Sequence, residues 1–245
     1  MSDSLKPSRR LDPSHQVRIT PETVRRWVDL YAAAIRQSER CLTQLDAYIG
    51  DGDHGANMRR GMDAAMAKLD EMEPGQIAGQ FRTISTVLIT SVGGAAGPLY
   101  GTFFLQAAQA TAHKNDLTLA DLAAVVDAGC RGVVNLGKAA VGDKTMVDTL
   151  TAAVASLQTS LTRHEPLPLA VRNCREASFH AAVATTPMVA RKGRASYLGE
   201  RSAGFQDPGA TSAALIFDAL MQAVVTSPAP RVTSSASRQP TLATS

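Results

Sequence analysis

Apolar side chains recur every three to four residues through most of the chain from about residue 20 to 226, and this period is typical of amphipathic helices. About eight such segments are predicted. They run over about 21 to 45, 57 to 69, 77 to 92, from 98 onward, from 119 onward, from 145 to before 166, 168 to 186, and 210 to 224. We find no convincing strand, so the predicted fold class is all-α.

Several helix starts are marked by capping residues. Thr20, Pro21 and Glu22 are typical of a first turn, and Thr118 is placed to cap the fifth segment. Because the loops are short, consecutive helices are expected to be antiparallel neighbours within one domain, residues 20–226. Residues 1–19 are predicted to form a mobile N-terminal segment, and residues 227–245, rich in Ser, Thr, Pro and Ala, a disordered tail.

Composition narrows the function classes. Of the 245 residues, 44% are hydrophobic, enough for one sizeable core, whereas only 4% are aromatic, which disfavours an all-β sandwich. The net charge of +3 is small and lies partly in the end segments, which argues against nucleic-acid binding. The 3 cysteines are far apart and fit reduced thiols. Without an apolar run of about 18 residues or an apolar N-terminal segment, we expect a cytoplasmic protein that does not cross a membrane.

The stretch IGDGDHGANM, residues 49–58, carries the most distinctive chemistry. Its glycines spell the G-x-G-x-x-G pattern of dinucleotide sites. Carboxylates within the pattern would repel a pyrophosphate, and a helical segment precedes it where such a site needs a strand, so both features argue against a dinucleotide site. Asp46, Asp51 and Asp53 lie within eight residues and would repel one another unless a cation lay between them. Mg²⁺ takes carboxylate and phosphate oxygens, so the pattern predicts a magnesium site. The alternative is a solvated loop whose aspartates serve turns and helix caps.

Three further loops are candidates for ligand contact. Residues 137–145, GKAAVGDKT, nearly spell a P-loop, but Asp143 separates Gly142 from Lys144 and no strand precedes them, so we interpret the match as chance. The turn at residues 93–98 precedes a helix start with free N–H groups. Residues 191–212 form a long polar loop with arginines that suit phosphate. Ordinary turns and a surface loop are the alternatives.

Two single residues are weaker candidates. His54 is a candidate general base or nucleophile, but the sequence identifies no Ser or Cys partner for it, so we expect it to orient a ligand group. Met146 begins a predicted helix beside the GDKT loop and is placed to pack against an adenine ring, although an isolated Met more often belongs to the core.

Four stretches together resemble one family. In order, LDAYIGDGDHGANMRRG, VGGAAGPLYGTFF, GKAAVGDKTMVDTL and RKGRASYLGERSAGFQDPGATS are similar to the nucleotide-binding L subunit of dihydroxyacetone kinase, and the resemblance covers roughly residues 20–226. It implies a barrel of about eight antiparallel amphipathic helices with the nucleotide site at one end. It implies a pair of Mg²⁺ ions held by Asp46, Asp51 and Asp53. The nucleotide contacts that it implies are His54, Gly55, Ala56, Asn57, Ala95, Ala96, Gly137, Met146, Arg194, Asp207, Pro208 and Gly209.

The resemblance also implies a function. In this family the L subunit binds ADP or ATP, and a separate K subunit holds dihydroxyacetone. We therefore expect a phosphotransferase subunit that passes a phosphoryl group through Mg-nucleotide to a short ketose on a K subunit. Its ADP would be recharged by the M subunit of a phosphoenolpyruvate phosphotransferase system. Alternatives are a subunit of an ATP-dependent kinase for a ketose such as erythrulose, a non-catalytic nucleotide-dependent regulator, and a calcium-binding helical protein. A homodimer is a further expectation.

Overall fold

Helices dominate the computed structural model, which describes residues 17–72 and 75–226. These residues form eight α-helices, one 3₁₀ helix and a single isolated β-bridge. The α-helices are α1 Pro21–Ile49, α2 His54–Asp70, α3 Ile77–Ser91, α4 Ala96–Ala110, α5 Leu119–Gly137, α6 Met146–Thr162, α7 Leu167–Ala184 and α8 Pro208–Val225, and the 3₁₀ helix is Arg194–Ser202. The all-α prediction is confirmed. The predicted tail and residues 1–16 of the predicted N-terminal segment lie outside the described residues.

Threonine caps fix three of the helix starts. The Thr20 side chain accepts the Thr23 N–H at the start of α1. Thr118 and Thr145 each form a reciprocal capping box with an aspartate three residues later, Asp121 and Asp148. Each box satisfies backbone donors that the first helical turn leaves without partners. The predicted starts of the first, fifth and sixth helices are therefore confirmed.

Two predicted boundaries are wrong near the acidic loop. α1 continues to Ile49 rather than ending near residue 45, so Asp46 lies in its last turn. α2 begins at His54 rather than at residue 57. The backbone N–H groups at its start donate to Asp46 of α1, so the cap comes from the preceding helix. At the N-terminus of the described residues, Ile19 is fully buried and bonds to Leu117 through both backbone groups.

Helix packing follows chain order. Each helix packs against the next one, and α8 packs back against α1, so the contacts close into a ring. α6 also contacts α8 directly. Trp27 of α1, Phe81 of α3 and Phe104 of α4 form a buried aromatic series, with ring centroids 5.8 and 6.0 Å apart. This neighbour order is the one expected of an eight-helix barrel, while the barrel geometry itself stays a prediction.

α8 is the most apolar of the long helices. Among the described residues it is the one helix long and apolar enough to cross a membrane by length and composition, with a mean hydropathy of 1.3. It is not an unbroken apolar run of about 18 residues, because Asp218 and Gln222 interrupt it. In the fold, 61% of the segment is buried, and it packs against α1, α6 and α7. The burial of most of this segment accounts for its apolar composition.

Candidate nucleotide and metal site

One cleft collects the loops that follow α1, α3, α5 and α7. This convergence is the one expected of helices that alternate in direction, since alternation places every second loop at the same end of a bundle. Parts of all four stretches singled out in the sequence line the cleft. Its lining residues include Asp46, Asp51, Asp53, His54, Asn57, Ala95, Ala96, Met146, Arg194, Asp207, Pro208 and Gly209.

Three aspartates form the most acidic part of this cleft. One carboxylate oxygen from each of Asp46, Asp51 and Asp53 can be chosen so that all three atoms lie within 4.8 Å of one another. Asp46 is buried, with 8% of its surface exposed, whereas the other two are exposed. Oxygen atoms at this separation suit a hard divalent cation such as Mg²⁺. The structure therefore brings together the three residues predicted to hold metal.

Asp46 is held in a fixed orientation. Its Oδ2 accepts the backbone N–H groups of Asp53 at 2.9 Å and His54 at 3.1 Å. These bonds cap the start of α2, where the Asp53 side chain makes no capping bond. Gly50 lies against the other oxygen. A Cβ at this position would be only 2.1 Å from Asp46 Oδ1. Oδ2 is thus committed to the backbone, and Gly50 leaves room for Oδ1 to bind a ligand.

Arg194 brings positive charge to the aspartates from the α7–α8 segment, which we define as residues 185–207. Its Nη1 lies 2.8 Å from Asp51 Oδ2, and both side chains are partly open to solvent. The adjacent residues Lys192 and Gly193 also line the cleft. A cation and three carboxylates are therefore adjacent, a combination that suits a bound metal on one side and a phosphate on the other.

His54 has a partner that sequence analysis missed. Its Nε2 lies 2.8 Å from Ser212 Oγ, and Ser212 Oγ lies 2.6 Å from the Tyr100 hydroxyl. Burial lowers the pKa of His54 below its usual value, and the nearby carboxylates of Asp46, Asp53 and Asp51 oppose this shift without cancelling it. The lowered pKa favours the neutral form of the imidazole. Ser212 is 158 residues away along the chain, so no local motif pointed to this pair.

An apolar cleft adjoins the acidic one. It is lined by Leu99, Val133, Leu136 and Gly137, and Met146 lines both clefts. Met146 is itself buried, so it forms a wall and does not project into the space. An apolar pocket next to a carboxylate cluster suits a ligand with a flat base at one end and phosphates at the other. Gly137, a predicted nucleotide contact, lies only in this apolar part.

Asp207 caps α8 at the edge of the cleft. Its Oδ2 accepts the Ala210 N–H at 2.7 Å, and its own N–H donates to Thr185 Oγ1 at 3.0 Å. Burial raises the pKa of Asp207 to about 7, although the Ala210 N–H and the Lys144 ammonium act in the opposite direction. The carboxyl group can therefore donate or accept a hydrogen bond near neutral pH.

Two predicted contacts line neither cleft. Gly55 is buried against α1, where a Cβ would lie 2.1 Å from the Glu39 carbonyl oxygen. Ala56 is exposed. The glycine at position 55 is explained by the close approach of α2 to α1. Lys144, from the near P-loop, lines the cleft, but its ammonium donates to backbone carbonyls of the α7–α8 segment and is not presented to a phosphate.

Comparison with known proteins identifies the family of this chain. Residues 48–222 match the model of the DAK2 domain. The chain is 48% identical over 171 residues to the PEP-dependent dihydroxyacetone kinase ADP-binding subunit DhaL of Escherichia coli strain K12, covering 70% of this chain and 81% of the relative. It is 38% identical over 206 residues to the PTS-dependent DhaL of Lactococcus lactis subsp. lactis strain IL1403, covering 84% and 99%.

A solved structure shows the same fold. The dihydroxyacetone kinase from C. freundii, in complex with AMP-PNP and Mg²⁺, superposes with a TM-score of 0.62 at 25% identity. The match covers 91% of this chain but only 38% of the C. freundii kinase, so this chain corresponds to one part of that longer protein. The resemblance noted in the sequence is confirmed, and the chain belongs to the DAK2 domain family, whose members include the ADP-binding DhaL subunits of dihydroxyacetone kinases.

Proposed function

We propose that this chain is the ADP- or ATP-binding subunit of a dihydroxyacetone-type kinase. In this proposal a phosphoryl group passes through Mg-nucleotide to a short ketose that is held on a partner K subunit. The observation that carries the proposal is the placement of Asp46, Asp51 and Asp53 beside an apolar cleft at one end of the helices. The relatives named as ADP-binding subunits support it.

The aspartates would hold Mg²⁺, either one ion or the pair that the resemblance implies. Mg²⁺ bound there would neutralise charge on the nucleotide phosphates during phosphoryl transfer. Asp46 offers Oδ1 from a fixed position, while Asp51 and Asp53 on the exposed loop can adjust to the ligand. Arg194 would exchange its ion pair with Asp51 for a phosphate oxygen when the nucleotide binds.

The remaining predicted contacts would position the nucleotide. The base would occupy the apolar cleft at Gly137 and Met146. α4 begins at Ala96 with no side-chain cap, so N–H groups of its first turn are available to an anion. His54, held by its hydrogen bond to Ser212, would make a directed hydrogen bond to the nucleotide. This chain would supply positioning and electrostatic stabilisation, while the acceptor hydroxyl would come from the ketose on the partner.

Two versions of the activity differ in the phosphoryl donor. The names of the DhaL relatives favour the version in which ADP stays bound and is recharged by a phosphotransferase-system protein. The ATP-dependent version requires ready exchange of free nucleotide. Dialysis of the purified chain with Mg²⁺, followed by release and identification of bound nucleotide, separates the two. Retained ADP supports recharging in place, whereas an empty site that exchanges ATP supports the ATP-dependent version.

A regulatory role is the main alternative to a kinase. The test is turnover of dihydroxyacetone by the chain together with a K subunit and a phosphoryl donor. Phosphorylated product supports the kinase, and nucleotide binding without turnover with any K subunit would leave the regulator as the better explanation. For the kinase subunit, we propose a cytoplasmic location, where Mg-nucleotide is available. The homodimer stays a prediction.

A further inference from the structure

Lys144 is a buried cation that the proposed function does not use. Only 1% of its surface is exposed, and among the described residues it forms no ion pair. Its Nζ instead lies near four backbone carbonyl oxygens, those of Thr185 at 2.8 Å, Thr186 at 3.3 Å, Met188 at 3.1 Å and Phe205 at 2.5 Å. Burying an ammonium is costly unless its protons are hydrogen-bonded, so this arrangement is specific.

The four carbonyls come from both ends of the α7–α8 segment. Thr185 is the C-cap of α7, where carbonyls lack helical partners and the helix dipole favours a positive charge. Thr186 and Met188 follow directly, whereas Phe205 lies at the far end, two residues before Asp207. Lys144 itself belongs to the loop between α5 and α6. One ammonium therefore joins three separate parts of the chain.

Other hydrogen bonds hold residues near the two ends of the same segment. The Arg191 N–H donates to the Asp143 carbonyl at 3.1 Å, next to Lys144, and the Gly204 N–H donates to the Thr186 carbonyl at 2.8 Å. Ala190 N–H donates to Ser202 Oγ at 2.8 Å. The 3₁₀ helix that begins at Arg194 lies between these hydrogen-bonded residues. The position of Arg194 beside Asp51 thus depends on the hydrogen bonds that hold the two ends of this segment near Lys144.

The backbone at Lys144 is also unusual. Its φ is 63°, in the left-handed region that costs a non-glycine residue free energy. The next residue, Thr145, must cap α6, while the lysine side chain must enter the interior. A strained conformation of this kind persists only where surrounding contacts hold it, and the four carbonyl contacts are the ones present here.

We propose that Lys144 is a positioning residue for the nucleotide site, where its ammonium serves as an internal cation that fixes both ends of the α7–α8 segment and so sets Arg194 and Asp207 against the cleft. This inference rests on the proposed nucleotide binding and deepens it. A lysine that only adds to global stability would affect every helix alike, whereas a positioning residue acts on one segment and on the ligand that this segment contacts.

The first test compares Lys144→Met with Lys138→Met. Methionine keeps most of the aliphatic volume and removes the charge. Lys138 is a matched control, because it lies in the same loop, also has a positive φ of 51° and is exposed. For Lys144→Met we expect amide hydrogen exchange in residues 186–206 to become at least tenfold faster while α2 and α4 are unchanged, and the affinity for Mg-ADP to fall at least tenfold. Lys138→Met is expected to change neither.

Wild-type exchange and affinity in Lys144→Met would overturn the inference, as would acceleration spread equally over all helices. Failure of the wild-type chain itself to bind Mg-ADP would instead remove the proposed function, and local acceleration at residues 186–206 would still identify Lys144 as the anchor of that segment. The two failures are therefore distinguishable.

A second test replaces the cation chemically and also covers the case in which Lys144→Met does not fold. Lys144→Ala removes three carbons and the ammonium, which propylammonium chloride can supply from solution. We expect propylammonium to restore slow exchange in residues 186–206 together with Mg-ADP affinity, and neutral 1-propanol at the same concentration to restore neither. Equal effects of the two additives, or no rescue by propylammonium, would contradict the role of an internal cation.

Discussion

At the scale of single residues, Asp46 both caps α2 and belongs to the proposed metal site. Oδ2 caps α2 through two N–H groups, and Oδ1 remains for a ligand beside Gly50. Its replacement would disturb the start of α2 and the proposed metal site together, so the two effects would be inseparable. Among the described residues Asp51 makes no such backbone bond and forms one ion pair, with Arg194 at the surface of the cleft, so Asp51 is the cleaner probe of metal binding.

Asp51→Asn is predicted to weaken binding of Mg-ADP by at least about tenfold, equivalent to about 1.4 kcal/mol, because the amide keeps the shape but loses the charge. Calorimetric titration measures the affinity directly. Asp63→Asn is the matched control, since it removes an exposed aspartate paired with Arg36 away from the cleft. Both variants should be about as stable as the wild type, because exposed ion pairs contribute about 0–1 kcal/mol. Unchanged affinity in Asp51→Asn would contradict the metal assignment.

Asp207→Asn is predicted to change how stability depends on pH. The folded protein holds a proton on Asp207 up to about pH 7, whereas an unfolded aspartate releases it near 3.8, so the wild type loses stability as pH rises through that window. Asn still accepts the Ala210 N–H and has no proton to release. Lys144, Asp148 and Asp46, the charged groups around position 207, are present in both proteins.

Urea unfolding of the wild type and of Asp207→Asn between pH 4.5 and 7.5 measures this effect. The free energy of unfolding of the variant should rise relative to the wild type with increasing pH, by at most about 1.4 kcal/mol per pH unit. A difference that stays constant across this range would show that burial does not raise the pKa of Asp207.

At the scale of elements, the contact between α1 and α2 determines where the acidic loop lies. Two close contacts define it, the Asp46 cap and the packing of Gly55 against Glu39 and Thr43 of α1. The Thr20 and Thr118 caps could be predicted from sequence because cap and helix are neighbours in the chain. The start of α2 could not, because its cap belongs to the preceding helix, and a search for a local Ser, Thr or Asn cap does not find it.

Gly55→Ala is predicted to destabilise the fold by about 1–3 kcal/mol, because the new methyl group overlaps the Glu39 carbonyl and the Thr43 side chain. Gly79→Ala is the control, since Gly79 lies within α3 and a Cβ there meets nothing within 4 Å. This second change should raise stability by about 0.5–1 kcal/mol, the usual advantage of alanine in a helix. Urea unfolding compares both, and equal stability of the two variants would refute the close contact.

At the scale of the whole molecule, helix order explains why residues far apart in sequence meet in one cleft. The loops after α1, α3, α5 and α7 meet in the cleft, as expected of helices that alternate in direction, and each contributes one of the four stretches recognised in the sequence. The helix pattern, the aspartate spacing and the family motifs were therefore sufficient to predict most of the cleft. Sequence could not predict the hydrogen bond between His54 and Ser212 or the four backbone carbonyls around Lys144. Each joins distant segments through a single side chain, and no local sequence pattern marks it.

Binding of Mg-nucleotide in the cleft is tested by titration of the metal-free chain with ADP. The purified protein is treated with EDTA and dialysed, then titrated calorimetrically with ADP in the presence and in the absence of Mg²⁺. We expect binding of about one ADP per chain that depends on Mg²⁺ and is weakened in Asp51→Asn. A correctly folded chain that binds no ADP with Mg²⁺ present would show that the cleft is not a nucleotide site.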